Sequence, residues 1–559
     1  MRLDVALIHP PSVHDFRKLP SYACMISEVI PSHQIFDMIP YGFLTLATHL
    51  ERSGFEVGIF NLAAKMLRDE SFDVEGYLRN IEADTFGIDF HWMVHAQGAI
   101  ELAKIIKRIH PNSKVVLGGL SSTLFRREIM ELYPFIDAII LGDSGEIPLV
   151  RYLEEGPERA PNVIWRENDR VRENPISWVP DSLDEFQIDH GFLLRNMRRV
   201  RDLSLGSPFA SFQEAPIAGV ITVKGCPFNC LTCGGSRYAY ERCFMRSRIA
   251  LKSPEAIAEE VEGIAGMSSM PIFFVGDLRI GGVERVRRIS RLLRDLDLDN
   301  ELIFEFFTPP SKEVLSALRE ASHTVYLQIS PESPFEEVRK AFGRPYTNSS
   351  LEKLVRYSKE LDFARLDLYF MMGLPLQRRD HGPKVADYFS KLRGLSDRID
   401  SFLSPLAPFV DPGSRAFSDP EGHGYRILFR GLEDYRRALT TVHWMNSLNY
   451  ETEWMSRREI AESTLDGYEA LLNEKRARGM IDDDVHELAI RRISLDRELI
   501  LRIERGSPTS DLMERIRELS IEYDAAVKRG VSLYPTGSLT SRVRSHVLRM
   551  LLRVVLALE

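Results

Sequence analysis

Apolar positions along this chain fall into two series of short runs, each run separated from the next by a longer segment of helical spacing. In the first series, strand-like runs occupy residues 4–8, 56–61, 85–90, 114–117 and 138–141, with amphipathic segments at 41–53, 74–83, 96–109 and 126–133. Short apolar strands joined by helices predict right-handed crossovers and a parallel sheet covered on both faces, a doubly wound α/β domain over residues 1–155. Such a sheet binds ligands beyond the carboxyl ends of its strands. Those ends carry Gly118-Gly119-Leu120-Ser121-Ser122-Thr123 and Gly142-Asp143-Ser144-Gly145-Glu146.

The alternation then lapses into a Pro-rich connector, residues 156–215, with a hairpin expected at 163–166 and 171–173 around Asn168-Asp169. A second series follows over residues 216–410, with strands at 219–223, 272–275, 302–307, 324–329, 365–371 and 401–406. Ser253-Pro254 supplies an N-cap and first-turn Pro for one of the intervening helices. Six strand and helix units predict an open, partial barrel. Residues 411–559 read as mainly helical, with Trp444, Tyr450 and Trp454 and a final segment at 541–558.

Composition narrows the class. A chain of 559 residues, 44% apolar and 27% charged, is long enough for three or four domains at roughly 150 residues each. It is neither disordered nor disulfide-built. Lys and Arg number 72 against 81 Asp and Glu, a net charge of -9, which gives no global reason to bind nucleic acid. The opening apolar run at residues 5–8 is too short for a signal peptide. No stretch approaches the ~18 apolar residues of a membrane span. The expectation is a cytoplasmic protein in a reducing compartment, where clustered Cys hold metal more readily than disulfides.

Four of the five Cys lie within eighteen residues, and Cys226-x-x-x-Cys230-x-x-Cys233 follows directly on the first strand of the second series. Three thiolates on a tight loop can ligate three irons of a four-iron cluster and leave the fourth open, whereas a closed structural site takes four protein ligands. A zinc knuckle completed by Cys243 or a His is the bland alternative. Cys24 and Cys243 otherwise read as buried or incidental thiols.

This spacing resembles the radical S-adenosylmethionine (SAM) superfamily, whose Cys triad follows the first strand of a partial (β/α)6 barrel. The resemblance covers about residues 216–410. It implies that Cys226, Cys230 and Cys233 bind a [4Fe-4S] cluster whose open iron chelates SAM. It also implies SAM contacts at strand ends: Gly276 and Asp277 after the second strand, Ser330 and Glu332 in Ser330-Pro331-Glu332-Ser333 after the fourth, Gly373 in Gly373-Leu374-Pro375 after the fifth, and Arg344. Strand-end turn chemistry or ion pairing is the alternative for each. One position departs from the pattern: the residue before the third Cys, usually aromatic, is Thr232, and Tyr238 or Tyr240 is close enough in sequence to substitute.

A doubly wound domain ahead of such a barrel resembles the cobalamin-binding domain of the cobalamin-dependent radical SAM subgroup. The residues behind this are Tyr41-Gly42-Phe43-Leu44, Gly118-Gly119 and Gly142-Asp143-Ser144-Gly145-Glu146. Glycine loops at these places let a corrin and its nucleotide tail approach the backbone. Implied cobalamin contacts are Gly118, Gly119, Ser121, Ser122, Gly142 and Glu146. The Asp-x-His-x-x-Gly loop that supplies a lower axial His elsewhere is missing, so His91 and His95 read as loop or pocket residues and the corrinoid as base-off. Ser330 to Ser333, Val338-Arg339-Lys340, Gly343 to Asn348 and the string from Pro405 to Ser414 further resemble an archaeal-type family of cobalamin-binding radical SAM proteins.

Together the resemblances imply reductive cleavage of SAM to a 5'-deoxyadenosyl radical, hydrogen abstraction from an unactivated carbon, and methyl transfer from cobalamin. They also imply a reductant such as ferredoxin or flavodoxin. Cyclisation, rearrangement or carbon-carbon coupling without methyl transfer is the second reading, and a corrinoid or iron-sulfur sensor the third. The resemblance supplies no substrate; a small molecule or a lipid is expected. The last 145 or so residues are expected to cap the barrel, and Val543, Val547, Leu551, Val554 and Leu558 with Arg542, Arg549 and Arg553 allow a peripheral membrane contact.

Overall fold

The computed structural model describes residues 2–19, 35–168, 170–406, 409–507, 509–530 and 542–543. Strands β1 (Leu3–His9), β2 (Val57–Asn61), β3 (Ala83–Asp89), β4 (Lys114–Gly118), β5 (Ala138–Ile140), β6 (Val163–Glu167) and β7 (Arg170–Asn174) form one sheet in the order β2-β1-β3-β4-β5-β6-β7. The first five are parallel. Their side chains alternate between two cores, Ala6, Ile8 and Phe86 on one face and Val5, Leu7 and Val116 on the other. The order reverses between β1 and β3, which makes their carboxyl ends the switch point.

The hairpin expected within the connector forms, but it does not hang free: β6 pairs antiparallel with β5, Ile139 opposite Ile164, and extends the sheet. Without it β5 would present an open edge of unpaired backbone groups.

The second sheet holds β8 (Ala218–Ile221), β9 (Ile272–Val275), β10 (Leu302–Phe306), β11 (Val325–Glu332), β12 (Arg365–Met372) and β13 (Ile399–Pro405), in sequential order. All pairings are parallel and β8 does not meet β13, so the barrel is partial and open. Leu302, Phe304 and Phe306 enter the core shared with the surrounding helices, which leaves Ile303 and Glu305 on the inner face. The same alternation puts Asp367, Tyr369 and Met371 of β12 inside.

The chain beyond residue 410 packs on both domains. Helix Leu432–Leu439 returns to the first domain, where Glu128 accepts from Leu432 N at 2.7 Å and the Tyr435 ring meets Phe125. Helices Arg457–Ala477, Asp483–Glu504 and Ser510–Gly530 pack in sequence, the first against β13 and helix His381–Arg393. That contact is close because two residues lack a side chain: a Cβ on Gly382 would lie 1.9 Å from Ser463 O, and one on Gly467 would lie 2.3 Å from Leu403 Cδ2. Helix Arg457–Ala477 therefore covers the barrel edge at β13, while Tyr425 and Tyr450 reach Gly373 at the carboxyl end of β12. Of the final segment only Arg542 and Val543 are described, Val543 bridging to Ser268; Val547, Leu551, Val554, Leu558, Arg549, Arg553 and also Cys24 lie outside the described residues. No helix among the described residues is long and apolar enough to cross a membrane.

Candidate functional site

The cysteine loop leaves β8 through Val223–Lys224, which pairs with Ala250–Leu251, and then Gly225 at φ +95°. Its shape is fixed by backbone hydrogen bonds: Cys233 N donates to Cys230 O at 3.2 Å, Leu231 N to Phe342 O at 2.8 Å and Asp411 N to Thr232 O at 3.1 Å. Asp411 Oδ2 accepts from Gly234 N at 2.9 Å. Burial pushes the Asp411 carboxyl up to about 6.

Cys230 is buried, while Cys226 and Cys233 are half-buried. Burial raises the Cys226 thiol to about 11 and the Cys233 thiol further, and the neighbouring thiols add to the rise. Arg344 Nε lies 3.4 Å from Cys230 Sγ, and Gly235 N donates to Cys233 Sγ at 3.3 Å. Among the described residues no three His, Cys, Asp or Glu side chains converge on one point as ligands of a single ion do. A cluster takes its thiolates on different irons, so its ligands stand further apart. The donor set of three soft thiols, with a guanidinium and a backbone N–H turned on their sulfurs, fits such a group. Cys243 stands away from it, against Gly413, in the field of Arg242 and Arg126. Tyr240 lies within the field of Cys233 and Cys226, whereas the Tyr238 ring is stacked under Arg242.

The strand ends of the second sheet converge on this loop. Gly276 has φ +99°, and a Cβ there would lie 2.2 Å from Val223. Asp277 is buried and held by Arg279, from Nε at 2.9 Å, Nη2 at 2.5 Å and the backbone N at 3.0 Å. Ser330 contributes its carbonyl, which accepts from Arg344 Nη1 at 2.6 Å. Glu332 is buried at φ +68°, 2.8 Å from Arg344 Nη1, and burial lifts its carboxyl to about 7 against the pull of that guanidinium. Gly373, at φ +97°, gives its Cβ space to the Tyr450 hydroxyl and its carbonyl to Tyr425 Oη at 3.1 Å, so a protein contact already accounts for the glycine.

Two acids in this region escape sequence reasoning. Asp411 sits in a quoted string without being singled out. Glu305 has a visible signal, a lone charge in an apolar strand run; its Oε1 accepts from Gly276 N at 2.5 Å, and burial raises it to about 7.

On the first sheet, Gly118 has open space where a Cβ would stand. Gly119, at φ +115°, would place a Cβ 2.5 Å from His91 Cα, so the Phe90–His91 backbone explains it. Ser121 Oγ donates to His91 O and Ser122 Oγ to Gly119 O, both at 2.9 Å. Gly142, at φ +101°, takes its hydrogen bond from N–H to Thr123 Oγ1 at 3.0 Å. Glu146 is buried; Oε1 accepts from Thr45 Oγ1 at 2.9 Å and lies 3.5 Å from Lys224 Nζ, while Oε2 is buried with no partner among the described residues. Lys224 Nζ also reaches Ser144 Oγ at 3.0 Å. Arg246 grips Asp143, with Nη2 to Oδ1 at 3.1 Å. Loops from the carboxyl ends of the two sheets thus touch.

The switch point holds a histidine cluster. His9 Nδ1 is 3.1 Å from Asp89 Oδ2, and the Nε2 atoms of His9 and His95 both lie near Phe36 O, at 3.0 and 3.1 Å. Burial lowers His95 to about 4 and also lowers His91. Trp92 beside them is 55% exposed.

Residues 34–150 match the B12 binding domain family and residues 220–389 the Radical SAM superfamily. The uncharacterized methyltransferase PH0819 of Pyrococcus horikoshii is 27% identical over 364 residues, 63% of this chain and 73% of that protein. Among solved structures, the radical S-adenosylmethionine methyltransferase TsrM from Kitasatospora setae, with cobalamin and a [4Fe-4S] cluster bound, superposes with a TM-score of 0.52 at 16% identity, over 77% of this chain and 78% of that one. The cobalamin-dependent S-adenosylmethionine radical enzyme OxsB, with aqua-cobalamin and S-adenosylmethionine bound, gives 0.55 at 13% identity, over 94% of this chain and 79% of that one. The chain belongs to the cobalamin-binding radical SAM enzymes, a B12 binding domain followed by a radical SAM domain.

Proposed function

We propose that the protein methylates an unactivated carbon of a small-molecule or lipid substrate, with a ferredoxin- or flavodoxin-like reductant. One observation carries the reading: the loops that would hold the two cofactors are joined directly, Asp143 to Arg246 and Ser144 and Glu146 to Lys224, two residues ahead of Cys226. Cys226, Cys230 and Cys233 would hold the cluster. Gly118, Gly142 and the loop of Glu146 border the space for a corrinoid at the carboxyl edge of the first sheet. When bound, the cluster and SAM supply an organic radical and cobalamin supplies the methyl group. The protein's share is placement and exclusion of water: Arg344 ties Cys230 to Glu332 and the Ser330 carbonyl, which fixes the thiol relative to the strand ends. The methyltransferase names of the Pyrococcus relative and of TsrM favour methyl transfer over the alternatives.

The test is anaerobic reconstitution with cobalamin, reductant and SAM in a cell extract depleted of the enzyme. Formation of 5'-deoxyadenosine together with S-adenosylhomocysteine supports methylation. The nucleoside alone points to cyclisation, rearrangement or coupling. Neither product, from protein that carries its iron, overturns the enzymatic reading in favour of a sensor.

A further inference from the structure

Among the described residues, the charged side chains felt by the Cys226 and Cys233 thiols are paired, with one exception. Cys226 feels Arg344 and Asp277. Arg344 stands 2.8 Å from Glu332, and Asp277 is held by Arg279. Cys233 feels Asp411, besides the neighbouring thiols. That carboxylate has no ion pair among the described residues, where its hydrogen-bond donor is Gly234 N, at 2.9 Å. The backbone holds it in place. Asp411 N donates to Thr232 O at 3.1 Å and Ala416 N to Leu231 O at 3.0 Å, so residues 411–416 lie along the triad loop, while Ser414 N turns back onto Asp411 O at 3.1 Å. Gly234 admits the side chain, since a Cβ there would lie 2.9 Å from Asp411 Cβ. The half-buried carboxylate is thus tied to the residue that follows Cys233.

We propose that Asp411 lowers the reduction potential of the cluster, as an uncompensated negative charge fixed beside the Cys233 ligand. This rests on the cysteine-loop reading above. The step it governs is the passage of one electron from an external low-potential donor of the ferredoxin or flavodoxin class to the oxidised cluster; the donor is oxidised, the cluster becomes more negative by one charge, and no bond forms or breaks. A carboxylate held close by disfavours the added charge, and net charge and exposure are the levers that set such potentials. The cluster is then harder to reduce and, once reduced, the stronger donor to a sulfonium. Arg344, on Cys230, acts in the opposite sense, but Glu332 offsets its charge. Asp411 is therefore a positioning residue that acts through the loop and across space, not a ligand.

The rival role for Asp411 is as a clamp on the loop, and Asp411→Asn separates the two, because the amide oxygen still accepts from Gly234 N while the charge is gone. Reconstituted wild type, D411N and D411E are titrated with a graded reductant, without oxygen, and the reduced cluster is read by electron paramagnetic resonance. The pH is mildly alkaline, where a carboxyl at about 6 is ionised. D411N should shift the reduction equilibrium by about tenfold toward the reduced cluster, a rise of ~59 mV for one electron, with its iron content and the shape of the signal unchanged. D411E should stay with wild type. An unmoved potential in D411N, or an equal rise in D411E, overturns the assignment alone. If Asn releases the cluster, Asp411→Gln is compared with D411E, matched in shape and differing in charge, and the same rise is expected; loss of the cluster from both amides also overturns the assignment. Wild type that assembles no four-iron cluster overturns the functional reading and this inference with it.

Discussion

Arg246 makes the most deeply buried of the charged contacts described between the loops of the two sheets, and replacing it by Met puts a number on that contact. Its guanidinium side chain is 1% exposed and the Asp143 side chain 4%. Besides Asp143 it donates to Pro180 O at 2.8 Å. Arg246→Met therefore leaves a carboxylate buried without its cation, which costs about 3–5 kcal/mol, against ~1 kcal/mol or less for an exposed pair. The companion change Asp143→Leu removes the orphaned charge, so the double variant should recover most of the loss and the cycle should show strong positive coupling. Urea denaturation, read on the earliest transition, measures all four proteins. A single variant that loses under about 1 kcal/mol refutes the burial argument. So does a double variant no more stable than R246M. Because Arg246 Cδ also lies 3.1 Å from where a Gly225 Cβ would stand, the single variant should retain less iron after reconstitution.

Gly119→Ala forces a Cβ to 2.5 Å from His91 Cα at φ +115°; thermal denaturation should show a loss of about 1–3 kcal/mol or more, from backbone strain and overpacking in the first domain. For His443, burial, and then the cation of Arg492, lower the imidazole to about 3 from its ordinary 6.5. The unfolded chain takes up that proton first, so the stability owed to the neutral ring is intact above pH ~6.5 and falls as pH drops toward 3, by about 1.4 kcal/mol per unit. His443 Nδ1 accepts from Met445 N at 3.0 Å, a bond that Asn can also make, so H443N should flatten the stability-pH curve by one proton between pH 6.5 and 4 in urea titrations. An unchanged slope refutes it.

The elements were legible where periodicity is strong. The segment at 96–109 matches helix Ala96–Ile109, and 272–275 matches β9, because one face of each is continuously apolar. What escaped is non-local. The hairpin was readable from its turn, but its pairing with β5 depends on an edge that only the folded sheet defines. No local pattern announces Arg246 with Asp143, 103 positions apart. The triad was legible because its ligands share one loop, whereas the Gly276–Glu305 bond joins two strands. Glycines misled in one respect: a glycine looks the same in sequence whether a ligand or the protein's own backbone fills its missing side chain. Gly119 meets Phe90 and His91, and Gly373 meets Tyr450.

The same distinction recasts the loop from Gly142 to Glu146. Its polar side chains are turned to the barrel: Asp143 to Arg246, Ser144 and Glu146 to Lys224. For a ligand on the first sheet the loop therefore has its backbone and Glu146 Oε2, buried and with no partner among the described residues, to offer. Lys224 stands two residues ahead of Cys226 and the Arg246 side chain lies against Gly225, so a shift of that loop on binding pulls on the segment entering the cysteine triad. Two sheets built as separate cores are in this way set at one distance by charged groups, whose strength depends on staying buried. Water admitted at that seam would loosen both the ion pair and the register of the two loops, which is why the seam lies among residues nearly closed to solvent.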